Sequence, residues 1–457
     1  MGGLEAKKVF VKTLGCKVNQ VESAYILERL MEAGFSPSSE ETSEILILNS
    51  CVVTSKAEAE TKKIIKKWLK KNPKVIVLTG CYAQKFNKEA KDLFKSSNHT
   101  LFFILGQKEK LRIPEILKET IDKKEEISMP VLQVEDICEG EPCTPLILTS
   151  FYGHSRAFIK IQDGCDDFCS YCLVPYTRGH PRSVPLEFIL KQIEIFIEKG
   201  YQEFLLTGIH LGKWGVDFRP PQKLTYLLRE IENFLSTFNR KFIVRLSSLE
   251  VNEIDEAFLD FLKTSQFIAP HFHLPLQSGS NKILKLMNRH YSREKYLETL
   301  EKLYQLFPYA TFGADVIVGF PGEEEKDFWD TYELIKNSPL NWLHIFPYSE
   351  RPGTLAQKLT PKVPPKEIEK RKKLLMELIT EKRELFLERE LGNIRKALLE
   401  NFDEKKQMWK ALSENYITTY INLKNTQNEE ELKGKLIEVK FLKREADHLI
   451  GDLVKFV

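Results

Sequence analysis

The sequence contains 457 residues, 42% of them hydrophobic and 29% charged, a composition typical of a globular protein with about three domains. The formal net charge of +3 is too small to indicate a nucleic-acid partner by itself. The first residues form no apolar signal core, and no uncharged stretch reaches the roughly 18 residues of a membrane span. We therefore expect a cytoplasmic protein with no membrane partner.

The first part of the chain, residues 1–122, alternates short β-branched runs with helical stretches. The runs predict strands at 8–13, 44–49, 74–79 and 101–106, with helices near 20–33 and 56–71. Strands separated by helices are typical of a parallel sheet with both faces covered. The sequence therefore predicts an α/β fold class and an N-terminal parallel-sheet domain.

A cysteine directly follows each of the first three predicted strands: Cys16, Cys51 and Cys81. The carboxyl ends of parallel strands lie along one edge of a sheet, so these thiols should meet there. One such cysteine would be interpreted as a small buried residue, but three repetitions favour a metal site. In a reducing compartment, clustered cysteines also favour metal ligands over disulfides.

Residues 123–150 are predicted to be a linker, because they mix charges and prolines without a sustained period. Cys138 and Cys143 lie in this segment. Metal ligation is one alternative for them, but their acidic, irregular surroundings favour free surface thiols.

Residues 151–385 resume the alternation and predict a partial (β/α)6 barrel. The six predicted strands are 157–162, 203–208, 242–247, 271–277, 313–319 and 343–349. The predicted helices between them are 185–199, 223–238, 253–265, 281–306 and 325–337. Loops that follow the strands of such barrels carry the chemistry, and Cys165 lies in the first of these loops.

The segment DGCDDFCSYCLVPYTRG, residues 163–179, contains Cys165, Cys169 and Cys172 without a fourth cysteine. Three thiolates bind three irons of a 4Fe–4S cluster and leave one iron open to a small molecule. A zinc site would need a fourth ligand, and His180 shows no regular ligand spacing. The Cys-x3-Cys-x2-Cys pattern resembles the radical S-adenosylmethionine superfamily, in which the open iron binds the methionine moiety. Tyr171 fits that superfamily's preference for an aromatic residue before the last cysteine.

The same resemblance implies further contacts to S-adenosylmethionine at the ends of the barrel strands. Gly208 corresponds to the contact with the methionine amino group, and Ser247 and Glu250 to contacts with the ribose. Gln277 and the backbone near Val316 correspond to contacts with the adenine.

The whole chain resembles the methylthiotransferases of this superfamily. The matching segments are KTLGCKVNQVES (12–23), LNSCVVT (48–54), TGCYAQ (79–84) and IQDGCDDFCSYCLVPYTRG (161–179). The resemblance implies a second, auxiliary 4Fe–4S cluster on Cys16, Cys51 and Cys81 that supplies sulfur. It implies two S-adenosylmethionine molecules per turnover, one for methylation and one for the radical. No side chain is expected to be a catalytic acid or base, and an external electron donor is required.

Residues 386–457 are predicted to form a small C-terminal β-barrel. After a charged helix near 364–390, short strands are predicted at 394–400, 409–414, 416–423, 435–444 and 448–454. The pattern resembles the TRAM module of RNA-modifying enzymes, which implies binding to the anticodon stem–loop of tRNA. A purely structural barrel is the alternative, because acidic residues dilute its positive charge.

We expect the protein to be a monomer.

Three substrates compete within the family: N6-threonylcarbamoyladenosine-37 of tRNA, isopentenyladenosine-37 of tRNA, and an aspartate of a ribosomal protein. The segments GCKVNQVES and RLSSLE resemble the corresponding sequences of the threonylcarbamoyl branch. That substrate carries a carboxylate, for which Arg245, Arg289 and Arg351 are candidate cations. A non-catalytic iron–sulfur protein, either an electron carrier or an RNA-binding scaffold, is the alternative of another class.

Overall fold

The computed structural model describes residues 7–94, 100–122, 131–137, 142–151, 153–423 and 429–457, which fold into two compact units. The first unit contains Met1–Leu148, Asp163–Arg182 and Glu350–Thr354, and the second contains Thr149–Gln162, Ser183–Ser349 and Leu355–Val457. Among the helices of the described ranges, none combines the length and the apolar composition that a membrane crossing needs.

The first unit is built on a parallel sheet, as predicted. Its strands are β1 (Lys8–Thr13), β2 (Ser36–Pro37), β3 (Ile45–Ser50), β4 (Val75–Gly80), β5 (Leu101–Leu105) and β6 (Val131–Gln133). They lie in the order β2-β1-β3-β4-β5-β6, and every neighbouring pair is parallel. The sequence did not predict β2 and β6, because strands of two and three residues at the two edges of a sheet carry no measurable period.

Helices cover both faces of this sheet. They are α1 (Lys17–Glu32), α2 (Ser55–Leu69), α3 (Cys81–Lys85), α4 (Asn87–Asp92), α5 (Ile113–Asp122) and, from the cysteine loop, α6 (Val174–Arg178). Alternate residues of β3 enter different cores: Leu46 packs in the cluster that contains Trp68 of α2. Ile47 packs in the cluster that contains Ile26 and Leu30 of α1. Burial on both faces explains why β3 reads as a continuous apolar run.

The cysteine-bearing segment packs in the first unit, although its neighbours in the chain are barrel strands. Leu173 is 3% exposed and belongs to the same apolar cluster as Trp68. The sequence assigned this segment to the central domain because periodicity reports chain order and not packing partners.

The second unit contains the six predicted parallel strands of the partial barrel. They are β7 (Ala157–Lys160), β10 (Glu203–Thr207), β11 (Ile243–Leu246), β12 (His271–His273), β13 (Thr311–Val318) and β14 (Trp342–Pro347), while two-residue strands β8 (Gln162–Asp163) and β9 (Arg182–Ser183) flank the cysteine loop. β10 lies between β7 and β11, and β13 lies between β12 and β14. A bridge between Val244 and Ile268 connects the two three-stranded sheets.

The helices of the partial barrel agree with the prediction except at one place. They are α7 (Leu186–Glu198), α8 (Leu224–Ser236), α9 (Glu256–Thr264), α10 (Asn281–Leu286), α11 (Arg293–Leu306) and α12 (Glu325–Asn337). The single helix predicted over 281–306 is wrong. Asn288 adopts a left-handed conformation with φ of 56°, and the Ser292 side chain caps a new helix by accepting from Lys295 N at 3.2 Å.

The predicted C-terminal β-barrel is confirmed. It follows α13 (Pro365–Arg389) and consists of β15 (Ile394–Asp403), β16 (Met408–Ser413), β17 (Thr418–Ile421), β18 (Leu436–Glu445) and β19 (His448–Phe456), with the short α14 (Glu429–Leu432) before β18. The strands close in the order β15-β16-β17-β19-β18, and the pair β17–β19 is parallel. Closure removes the exposed edges of the sheet.

Arg245 joins this terminal barrel to the partial barrel. Its side chain and that of Glu203 are both fully buried, and Nε donates to Glu203 Oε1 at 3.0 Å. The two Nη groups donate to the carbonyl oxygens of Glu414 at 3.0 Å and Ser413 at 3.2 Å. Arg245 is therefore a structural residue, which corrects the expectation that it contacts the substrate.

We predict that Arg245→Met lowers the thermal unfolding midpoint, because it leaves the buried Glu203 carboxylate with only the more distant Arg156, at 3.9 Å, as its cation. Loss of the close partner of a buried ion pair costs up to about 3–5 kcal/mol. Circular dichroism during heating measures the change. The matched control is Lys263→Ala, which removes an exposed ion pair with Asp260 and should leave the midpoint unchanged. Equal midpoints for both variants would show that Arg245 has no such structural role.

Candidate functional site

The three N-terminal cysteines lie at one edge of the sheet in the first unit. Cys16 follows β1, Cys51 follows β3 and Cys81 follows β4, and these strands are neighbours in the sheet. Cys16 and Cys51 are close, since a side chain at Gly15 would lie 2.8 Å from Cys51 Sγ. Cys81 interacts electrostatically with both other thiols. The structure therefore brings these three predicted ligands together.

Side-chain amides hold the loops that carry these thiols. Asn19 Nδ2 donates to the carbonyl oxygens of Leu14 at 2.7 Å and Ser50 at 3.1 Å, which ties together the loops after β1 and β3. Gln107 Nε2 donates to Cys81 Sγ at 3.4 Å. These bonds fix backbone that no sheet ladder holds.

The surroundings of this set suit a metal centre with thiolate ligands. Burial, together with the neighbouring Cys81, raises the pKa of the Cys51 thiol to about 11. Without a cation, the thiol therefore keeps its proton at neutral pH, and a bound metal centre must displace it. Soft thiolates select iron–sulfur clusters, zinc or copper(I), so the donor set fits an iron–sulfur cluster.

The second set of cysteines lies in one loop after β7. Cys165, Cys169 and Cys172 are all partly exposed, as is Tyr171. Cys172 N donates to Cys169 O at 2.9 Å, and Val174 N donates to Cys172 Sγ at 3.4 Å. The loop thus presents three accessible thiols within eight residues. This donor set fits a 4Fe–4S cluster with one open iron.

Close backbone contact fixes the start of this loop. Cys165 N donates to Gly179 O at 2.9 Å. Gly164 has a φ of 80°, and a side chain there would lie 2.0 Å from His180 O. Only glycine combines the left-handed conformation with such a close approach. The returning chain at 179–180 therefore sets the position of Cys165.

Arg178, at the end of α6, lies in a network of buried charges. It is 1% exposed, and its Nη1 lies 2.6 Å from Glu22 Oε1 and 3.3 Å from Asp163 Oδ1. Nη2 donates to Asn19 Oδ1. Lys110 Nζ lies 2.5 Å from the other oxygen of Glu22. Two cations and two carboxylates thus compensate one another inside the first unit.

This network connects the two sets of thiols. Lys110 donates to Gln107, which donates to Cys81 Sγ, while Arg178 contacts the residue two positions before Cys165. The sequence motifs indicate no role for Arg178, Glu22 or Lys110. Glu22 and Arg178 lie in the segments that carry the family resemblance and Lys110 lies outside them, but a single sequence does not show which charged residues pair.

Two of the predicted cofactor contacts lie on neighbouring strands of the second unit. Gly208 follows β10, and a side chain there would lie 3.0 Å from the Gln162 side chain. Gln162 Oε1 accepts from His210 N at 2.8 Å. Ser247 follows β11, and its buried Oγ has no hydrogen-bond partner within the described ranges. An unpaired buried hydroxyl fits the predicted contact with a ribose.

The other predicted contacts lie on the adjoining sheet. Gln277 adopts a left-handed conformation with φ of 60° and pairs with Val316 of β13. Its N donates to Asp315 O at 2.7 Å, and its carbonyl accepts from Ile317 N at 2.9 Å. Strained backbone of this kind persists where the surroundings hold it, and it clusters at binding sites.

The remaining candidate arginines for the substrate carboxylate are both paired. Arg289 Nη2 pairs with Glu250, which was itself predicted to contact the ribose. Arg351 is 2% exposed and lies 2.7 Å from Glu58 in the first unit. Both arginines therefore already have a carboxylate partner, with which a substrate carboxylate would have to compete.

Cys143 is 3% exposed, which corrects the expectation of a surface thiol. An irregular segment can be buried under the rest of its unit, and composition does not show this. Cys138 lies outside the described residues.

Comparisons with known proteins match nearly the whole chain. Residues 159–335 match the radical SAM superfamily, and residues 8–103 match the "Uncharacterized protein family UPF0004". The threonylcarbamoyladenosine tRNA methylthiotransferase MtaB of Aquifex aeolicus is 36% identical over 412 residues, which are 90% of this chain and 95% of that protein. The protein of the same name from Bacillus subtilis is 32% identical over 97% of this chain and 96% of its own length.

A relative with another named product is similar to the same extent. The tRNA-2-methylthio-N(6)-dimethylallyladenosine synthase of Carboxydothermus hydrogenoformans is 35% identical over 98% of this chain and 99% of its own length. Among solved structures, the radical S-adenosylmethionine methyltransferase TsrM from Kitasatospora setae superposes with a TM-score of 0.55 at 13% identity, over 77% of this chain and 74% of that one. That likeness establishes the fold.

We predict that Gly164→Ala prevents metal binding at the second cysteine set, because the new side chain would displace the backbone at 180. Iron analysis after anaerobic reconstitution should show a loss of about four irons per chain. The matched control is Gly200→Ala, which has a φ of 88° but open space around the added carbon. Equal iron content in the two variants would contradict the packing argument.

Proposed function

The chain belongs to the radical S-adenosylmethionine methylthiotransferase family, and we propose that it converts N6-threonylcarbamoyladenosine-37 of tRNA into its 2-methylthio derivative. The observation that best supports this proposal is the presence of two separate sets of three cysteines in one compact unit. Two relatives that match most of the chain are named for this activity. Membership in a family of enzymes sets aside the non-catalytic alternative.

Radical S-adenosylmethionine enzymes use a 4Fe–4S cluster and S-adenosylmethionine. When bound, these cofactors supply the one-electron chemistry that activates an unreactive C–H bond. We assign the cluster to Cys165, Cys169 and Cys172, whose spacing leaves one iron without a protein ligand. Tyr171 lies within the same loop and would shield it.

We assign a second 4Fe–4S cluster to Cys16, Cys51 and Cys81, and its role would be to supply the transferred sulfur. Each turnover would then use two S-adenosylmethionine molecules and electrons from an external donor. The asparagine and glutamine bonds described above would keep the three thiols in place while the site loses and regains sulfur. Arg178 and Glu22 would keep both thiol-bearing segments in a fixed arrangement within the first unit.

We propose that residues at the strand ends of the second unit contact S-adenosylmethionine. We propose that Ser247 Oγ bonds a ribose hydroxyl, because it is buried without a partner in the described ranges. Gly208 would let the methionine moiety approach the backbone, and Gln277 with Val316 would contact the adenine. Glu250 would reach the ribose only if it leaves Arg289.

We propose that the terminal barrel binds RNA through exposed cations and aromatic rings on its surface. Lys406 Nζ lies 4.8 Å from the centre of the Tyr420 ring, and Lys440 and Lys443 are exposed on β18. Phe456 is exposed at the end of β19. Cations bind phosphates and aromatic rings stack on bases, so we propose that this surface binds the anticodon stem–loop.

Dimethylallyl-type adenosine-37 is the second candidate substrate. The Carboxydothermus hydrogenoformans relative supports it, and so does the pairing of Arg289 with Glu250. A threonylcarbamoyl carboxylate would have to compete with Glu250 for this arginine, whereas an apolar group would not.

We predict that the two sets of cysteines have separable roles. Replacing Cys165, Cys169 and Cys172 with Ala should reduce about eight irons per chain to about four and abolish formation of 5′-deoxyadenosine. Replacing Cys16, Cys51 and Cys81 should also leave about four irons, retain 5′-deoxyadenosine and abolish methylthiolation. The control is Cys143→Ala, a buried cysteine outside both sets, which should keep all the iron. Methylthio product from the second triple variant would refute the sulfur-supplying role.

We predict that the reconstituted enzyme adds the methylthio mass to tRNA carrying N6-threonylcarbamoyladenosine. Mass spectrometry of nucleosides after incubation with each hypermodified tRNA, and of the ribosomal protein, identifies the product. A pocket that matches the carboxylate should favour its substrate by roughly a hundredfold or more, because a mismatch leaves buried polar groups unpaired. Product only on the isopentenyl tRNA or the ribosomal protein would replace the substrate and keep the family assignment.

A further inference from the structure

Three side chains of the second unit converge on one face of the partial barrel. His273 is on β12, Asp315 on β13 and His344 on β14. Asp315 pairs with His344 in the strand register, while His273 pairs with Gly313, two residues before Asp315. Residues directly opposite, or two apart along a strand, point to the same face of a sheet. The register alone therefore brings these three side chains together.

The distances support a common ligand. His273 Nε2 lies 3.1 Å from Asp315 Oδ1, and the rings of His273 and His344 are centred 5.5 Å apart. One ligating atom from each of the three residues lies within 4.8 Å of the other two. Metal–ligand bonds of about 2.1 Å place tetrahedral ligand atoms about 3.4 Å apart, a separation that small side-chain rotations, mainly of the exposed His344, would reach.

Gly313 gives the first histidine its position. A side chain at Gly313 would lie 2.8 Å from His273 Nδ1, so the ring occupies the space that glycine leaves. His273 and Asp315 are only 13% and 26% exposed, and His344 is open to solvent. Two of the three groups are therefore held in advance, and the third is accessible.

We propose that His273, Asp315 and His344 bind a divalent transition-metal ion such as Zn²⁺, Fe²⁺ or Mn²⁺. Two imidazoles and one carboxylate are the donor set that such ions take in proteins, with further positions left for oxygen ligands. A hydrogen bond between His273 and Asp315 would account for two of the residues without a metal. His344, on the adjacent strand, adds a third donor atom within 4.8 Å of the other two.

The site is separate from the two sets of cysteines in its chemistry. It has no thiol, and one carboxylate leaves a bound divalent ion with a net positive charge. Such a centre would attract an anionic oxygen ligand. The proposed metal site does not depend on the identity of the tRNA substrate, and metal binding tests it separately.

Mn²⁺ tests this proposal in the holoenzyme, because it prefers nitrogen and oxygen ligands to thiolates. Electron paramagnetic resonance counts free Mn²⁺ during a titration of the anaerobically reconstituted, oxidised protein. We expect about one equivalent to bind with micromolar affinity, and spin-echo modulation to show coupling to histidine nitrogen. His344→Ala and Asp315→Asn should each weaken binding at least about tenfold.

The matched control is His290→Ala, an exposed histidine of the same unit outside the proposed set, which should bind Mn²⁺ like the parent protein. Thermal melts and iron content of each variant establish that the fold and the clusters are intact. Because His344 is exposed, its replacement should leave both unchanged. Absence of stoichiometric binding in the parent, or equal binding in all variants, would overturn the proposal. Neither readout depends on methylthiolation, so failure here is distinguishable from failure of the proposed function.

Discussion

The rest of the first unit depends on the ion pairs that one buried guanidinium group makes. Arg178 comes from the cysteine loop, and its carboxylate partners Glu22 and Asp163 come from α1 and from the chain before Gly164. Removing one member of a buried ion pair leaves the other uncompensated and costs several kcal/mol, so loop and helix must fold together. Cys16 immediately precedes α1 and Cys165 follows Asp163 by two residues. Both thiol sets therefore take their positions from one charge network.

Positioning of both cysteine sets by one network suits an enzyme in which the cofactors perform the chemistry and the protein holds them in place. A site of this kind fails when its supporting contacts are loose, even if every ligand is present. Two small features provide this support. Gly164 leaves room for the carbonyl oxygen of His180, and the side-chain amide of Asn19 connects the loops after β1 and β3. The supporting contacts also bury polar and charged groups. The first unit tolerates this burial because each buried charge of the network contacts an opposite charge.

The sequence predicted those elements and ligand sets that are visible in a local pattern of residues. Strand–helix alternation located the sheet of the first unit and the six barrel strands, and a change to successive short strands located the terminal barrel, because burial of each strand imposes its own apolar pattern. The cysteine sets were found because their spacing or their place after a strand is visible in one dimension. Arg245 was misread because its partner Glu203 is 42 positions away and its carbonyl partners are about 170 away. Pairing across such separations, like the burial of Cys143, is a property of packing.

The second unit shows what that distant pairing does for function. The apolar cluster of Ile243, Ala269, Leu398 and Leu436 continues from the partial barrel into the terminal barrel, beside the buried Arg245. Because the two barrels share this core and belong to one compact unit, we expect a strand end of the partial barrel to keep a nearly fixed distance from the surface of β18 and β19. RNA held on that surface would therefore be oriented relative to the strand ends without the entropy loss of a flexible tether. Binding energy from remote parts of a large substrate then acts on the position of one base.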